Sequence, residues 1–259
     1  MSEKGGFWKK FSDKISKSKD PVKDLEQIFK DMRAYERFNV WELGVTRITI
    51  ENRTDNIRDV SFSGVSARMG DPAFLATIPL NVQIDGTIDL LGHTFPMHLI
   101  CVRKVGDVAG FRFNHDLPDS LVKLSSFLEH LRSGATMQEI DKKNVKEKYQ
   151  SPEWVALRGE GPVDLLINKA NNAGGFIDAV LSFPKGEHYQ EITWTQGVVK
   201  TGRTMDLEGP GSRMEQSMNV DLNTLRQGIE IFHGITNQSW RDYFSQGLLT
   251  PAMGALGLK

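Results

Sequence analysis

Two short polar clusters hold the residue types best suited to recognition chemistry: Arg33-Ala-Tyr-Glu-Arg37 and Asp59-Val-Ser-Phe-Ser-Gly64. Each arginine presents a planar, permanently charged fork of N–H donors. Such a fork fits the O6/N7 edge of guanine, and it also fits a phosphate through two parallel hydrogen bonds. Asp59 is an acceptor suited to the N1–H and N2–H donors of guanine, and Ser61 offers a hydroxyl. Gly64 has no Cβ to keep backbone N–H groups away from a phosphate. Together the two clusters can read a small dianion carrying guanine. No pair of charged residues forms an acid/base motif, so the chain is not expected to be an enzyme.

These clusters must be brought together by the elements around them. Asp20-Pro21 is a good N-cap and N1 pair, and Val22, Leu25, Ile28, Phe29 and Met32 recur at helical spacing. A helix over 21–32 therefore delivers the chain into the arginine cluster. From Phe38 to Phe113 the pattern is β. Strands are expected over 38–50 with a phase slip near Gly44-Val45, and over 57–61, 66–69, 76–84, 87–91, 93–105 and 108–114. Asp85-Gly86, Gly92 and Gly106-Asp107 serve as turns between them. Regular short strands of this kind suggest an antiparallel barrel or sandwich. Leu117, Leu121, Leu124, Leu128 and Leu131 mark a helix packed on it, ending at Gly134.

The arginine pair and the Asp-x-Ser-x-x-Gly turn lie 22 positions apart with one strand-like stretch between them, an arrangement that resembles the two motifs of PilZ domains. Val108-Ala-Gly-Phe-Arg-Phe113, followed by an amphipathic helix, is similar to the end of that family's barrel. The resemblance runs from about Met32 to Leu131. It implies an antiparallel barrel that binds cyclic di-GMP, with Arg33 and Arg37 on guanine and phosphate, Asp59 and Ser61 on guanine, and Gly64 permitting close approach. It also implies that Met32 influences whether one or two ligands bind, an apolar residue there favouring one. The expected role is a cytoplasmic receptor whose arginine loop orders on binding and alters contact with a second domain or a partner protein. Two alternatives are a PilZ-fold scaffold acting through protein contacts alone, and a ligand-controlled DNA-binding regulator.

Four segments are expected. Residues 1–31 form a basic lead-in, 32–133 the PilZ-like domain, 134–152 a polar, lysine-rich linker and 153–259 a second β-rich domain ending in helices. In the last, strands are read over 163–169, 175–183, 189–200 and 214–220, with a helix from Leu222 to Phe232. Asn114-His-Asp-Leu117 and Asn219-Val-Asp-Leu222 both stand where strand gives way to helix, which would fit a second, degenerate barrel or simply two similar helix caps. Residues 1–19 carry six lysines against Glu3 and Asp13. Phe7, Trp8, Phe11 and Ile15 fall at helical spacing there, suited to an anionic membrane surface, a partner groove or the protein's own body. A net charge of −1 argues against a dedicated nucleic-acid binder. The single cysteine, Cys101, excludes an internal disulfide and fits a reducing cytoplasm. No run reaches the roughly 18 apolar residues of a spanning helix, and no apolar signal core opens the chain. His93, His98 and Cys101 match no metal-ligand spacing, and no cofactor is implied.

Overall fold

The computed structural model describes residues 37–40, 46–114, 116–161, 163–168, 178–185, 188–195, 198–204, 214–216 and 220–236, with 248, 252, 254 and 256 singly. Arg33, Met32, the 1–31 segment and the phase slip at 44–45 lie outside these residues. The chain divides into two compact units, with the boundary between Leu128 and Glu129.

The first unit is a closed antiparallel barrel. Its strands are β1 (Phe38–Asn39), β2 (Thr46–Ile50), β3 (Arg53–Ser61), β4 (Gly64–Arg68), β5 (Gln83–Leu90), β6 (His93–Val105) and β7 (Val108–Phe113). Around the barrel the order is β3-β2-β5-β6-β7-β4, and β4 pairs back onto β3 to close six strands; β1 extends the sheet along β3. Closure leaves no free sheet edge on these six strands. Alternation fills the interior: Phe95, Met97, Leu99 and Cys101 from β6 meet Ile48, Ile50, Ile88, Leu90, Phe111 and Phe113, all buried. The β2–β3 hairpin turns at Glu51 and Asn52, whose φ values of 50° and 66° are left-handed, as a tight two-residue hairpin demands.

Of the strand expected over 76–84 only Gln83 and Ile84 form, opening β5, while Ala76 and Thr77 end a short helix. Asp71 caps helix α1 (Pro72–Thr77) by accepting from the N–H groups of Ala73 at 2.9 Å and Phe74 at 3.2 Å, with Pro72 preset in the first turn. The helix that this cap starts runs into Ala76 and Thr77, where strand was expected. Nor is Asp85-Gly86 a turn. Gly86 lies inside β5, where a Cβ would fall 2.6 Å from Leu99 Cδ1 and 3.1 Å from the Thr49 carbonyl oxygen. The glycine admits a close approach, and the chain reverses earlier, through Asn81 at φ 58°.

Helix α2 (Pro118–Ala135) begins in the barrel unit, where Phe127 sets its ring edge against Phe95 and His93. The second unit carries a seven-stranded antiparallel sheet in simple chain order: β8 (Gln138–Glu139), β9 (Trp154–Gly159), β10 (Val163–Asn168), β11 (Asp178–Lys185), β12 (His188–Thr195), β13 (Val198–Thr204) and β14 (Met214–Gln216). This sequential meander differs from the crossed order of the barrel, so the echo between 114–117 and 219–222 marks similar helix starts and no repeated strand order. The stretch read as a linker, 134–152, is built into this unit. It holds β8, two 3₁₀ turns and the buried Tyr149, whose ring meets Trp154 at 4.8 Å. Its apolar contacts with the sheet come from Met137, Ile140, Val145 and Tyr149, scattered among lysines and too sparse to register as a buried element by pattern. The 189–200 run likewise divides into β12 and β13.

Helix α3 (Leu222–Gly234), capped by Asp221, lays Leu225, Ile229 and Phe232 against Leu181, Ile192 and Trp194. It meets the last turns of α2 almost backbone to backbone. A Cβ on Gly234 would fall 1.9 Å from the Leu131 carbonyl oxygen, and one on Gly134 would fall 1.9 Å from that of Ile231. His130 and the buried Glu230 join the same two helices at 2.6 Å.

Because that helix contact is backbone on backbone, Gly234→Ala should lower stability by about 1–3 kcal/mol, the usual range for overpacking. A urea midpoint equal to wild type would contradict the contact. Glu129 tests the same region by pH. Desolvation pushes its carboxyl up to about 7, opposed in part by His130 and Arg132. The folded chain therefore holds the Glu129 proton more tightly than the unfolded chain, and stability falls as pH rises from the ordinary glutamate value through about 7. Glu129→Gln should flatten that fall and be the more stable protein above it; parallel pH–stability curves would reject the assignment.

Candidate functional site

Arg37 and Asp59 come together on the outer surface of the barrel, through β1 and β3. Asn39 lies directly opposite Asp59, and Phe38 opposite Val60. Continuing that register puts Arg37 on the diagonal from Asp59 on the same face, within reach of a long side chain. Arg37 Nη1 donates to Asp59 Oδ1 at 2.6 Å, with the arginine side chain 57% exposed and the aspartate 22%. They line an open pocket of about 470 Å³ with Asn39, Arg58 and Arg68.

A β-bulge gives this pocket its composition. Ile57 faces Ala67 on β4, but Asp59 faces Ser66, so Arg58 is an extra residue with no partner on β4. Regular alternation would make Ile57 and Asp59 share a face. With the bulge, Ile57 and Val60 are both fully buried while the two residues between them face outward. Arg68 reaches the pocket from the end of β4, where Nε contacts Asp107 Oδ2 at 3.0 Å. Among the described residues Arg58 makes no ion pair. The lining thus sets three guanidinium groups against a single carboxylate, a field that favours an anion.

Ser61 and Gly64 are placed differently from Asp59. Ser61 is buried, and its hydroxyl donates to the Gly64 carbonyl at 3.2 Å across the two-residue loop Phe62-Ser63. A Cβ on Gly64 would lie 2.2 Å from the Phe111 carbonyl oxygen, so this glycine lets β4 close onto β7. Neither residue lines the pocket. Asn39, Arg58 and Arg68 were not picked out from sequence. For Arg58 a signal exists, since Ile57-Arg-Asp-Val60 spaces its apolar residues by three inside a strand and so announces a bulge. Arg68 and Asn39 become neighbours only through strand pairing.

Away from the pocket, His98 sits between Asp116, 2.8 Å from Nδ1, and Asp85, 3.3 Å from Nε2, while Cys101 is buried in the barrel with its thiol pushed up by desolvation. Among the described residues no three His, Cys, Asp or Glu side chains are grouped to hold a metal ion. No helix of the described residues is long and apolar enough to cross a membrane.

No family model and no curated protein matches the chain. An uncharacterized protein of Legionella has a solved structure similar to part of it, at 17% identity and a TM-score of 0.31, over 38% of this chain and 95% of that one. A likeness at that level carries no inference about function.

Gly64→Ala separates scaffold from site. Its effect should appear as a loss of roughly 1–3 kcal/mol in chemical denaturation, whereas Asp59→Ala should change stability by at most about 1 kcal/mol, as for other exposed ion pairs. The reverse ranking would contradict the placement of these residues.

Proposed function

We propose that this protein is a cyclic di-GMP receptor of the PilZ type, binding its ligand in the pocket on the outside of the barrel and acting through contacts rather than catalysis. The observation that carries this reading is the meeting of Arg37 and Asp59, one from each sequence cluster, at 2.6 Å beside an open pocket rich in arginine. Their ion pair is exposed, and such pairs are worth about 0–1 kcal/mol, so a ligand can replace it at small cost. Asp59 then accepts from the N1–H and N2–H of guanine, and Arg37 donates to a phosphate or to the guanine O6/N7 edge. By the resemblance, Arg33 joins from the segment ahead of β1, and Met32 bears on whether one or two ligands bind. Ser61 and Gly64 serve by holding the turn that fixes Asp59, and Ser61 is not required to touch the ligand.

Signalling in this reading is a shift between two arrangements of the arginine segment. The ligand moves that balance only through its different affinity for the two. The second unit, or a cytoplasmic protein partner, reads the outcome.

Isothermal titration of cyclic di-GMP into the full chain should give saturable heat. Arg37→Ala and Asp59→Ala should each weaken binding by about 1–3 kcal/mol, the worth of one good bidentate contact. Absence of heat with the wild-type chain rejects the receptor and leaves a scaffold working through protein contacts.

A further inference from the structure

We infer that Arg58 is a third ligand-binding arginine, gripping a phosphate of the bound dinucleotide from the bulge in β3; this rests on the cyclic di-GMP reading. Arg58 lies outside both sequence clusters, and only the bulge turns it outward beside Asp59. It lines the same pocket as Arg37. The charges already engaged there make it the cation left to meet an incoming anion. Arg37 is held by Asp59 at 2.6 Å and Arg68 contacts Asp107 at 3.0 Å, while Arg58 has no carboxylate partner among the described residues.

Cyclic di-GMP carries two phosphodiester charges. Once Asp59 turns to a guanine, its charge adds to the two of the ligand, so Arg33 and Arg37 together set two positive charges against three negative ones. A third permanently charged fork that forms two parallel N–H···O bonds to one phosphate restores the balance. The bulge also explains why the fork sits in a ligand-facing position. The bulged residue has no partner on β4, while its carbonyl still accepts from the Val40 N–H at 3.2 Å, so its side chain is re-aimed without opening the sheet.

Titration calorimetry of the full chain with cyclic di-GMP, comparing wild type with Arg58→Ala and Arg58→Lys at low and high salt, decides this. Arg58→Ala should bind roughly ten- to a hundredfold more weakly, the range of a lost charge-assisted hydrogen bond, with affinity less sensitive to salt. Arg58→Lys should recover part of the loss, because it keeps the charge without the fork. Arg58 is exposed, so both variants should melt with the wild type. If Arg58→Ala melts lower, weakened binding by Arg58→Lys with unchanged melting still supports the role of the fork. Wild-type affinity in both variants overturns the inference and leaves the receptor standing. No binding by the wild-type chain removes both.

Discussion

Strand β3 answers two demands that a regular strand cannot meet together. It must seal the barrel by pairing with β2 on one side and β4 on the other, which requires Ile57 and Val60 both to point inward. It must also turn charged residues outward where β1 joins its free stretch. Inserting Arg58 as a residue unpaired on β4 resolves the conflict, since a bulge shifts the phase of one strand while its neighbour stays regular. The core stays dry, and two adjacent charged side chains appear on one face. Gly64 and the Ser61 hydroxyl hold the hairpin that follows, so the position of Asp59 is fixed by backbone contacts and not by its own ion pair.

This arrangement separates the rigid barrel from its charged outer face. The barrel ladder and its interior supply the stiffness, and the pocket keeps only exposed ion pairs that exchange partners readily. The second unit is built on another plan. Its sheet runs strictly in chain order, and helix α3 covers one face with Leu225, Ile229 and Phe232. Its 134–152 stretch lays Tyr149 and Val145 on the opposite face.

Much of the barrel was legible because its strands obey simple alternation. Strand β6 runs from His93 to Val105 as the pattern implies, and α3 starts at the Asp221 cap ahead of Leu222. The failures share a physical cause. A strong local cap at Asp71-Pro72 carries helix through Ala76 and Thr77, the first residues of the strand expected over 76–84, and Gly86 serves close packing where it looked like a turn. Strand β9 escaped because a polar segment precedes it, although Val155 and Leu157 face the core of the second unit. At the site, the sequence identified Arg37 and Asp59 by chemical type, but Arg58, Arg68 and Asn39 enter only through cross-strand register. Ser61 and Gly64 match a binding pattern in sequence while their contacts in the fold are those of a turn and a strand junction.

The central claim is that a guanine-bearing dianion takes over from the Arg37–Asp59 ion pair. The most direct measurement follows the Asp59 side-chain carboxyl carbon and the Arg37 guanidinium nitrogen by nuclear magnetic resonance as cyclic di-GMP is added to the full chain. Both signals should move together and saturate with the ligand. If cyclic di-GMP binds and both site signals remain where they were, the ion pair is not the binding site and the account is contradicted.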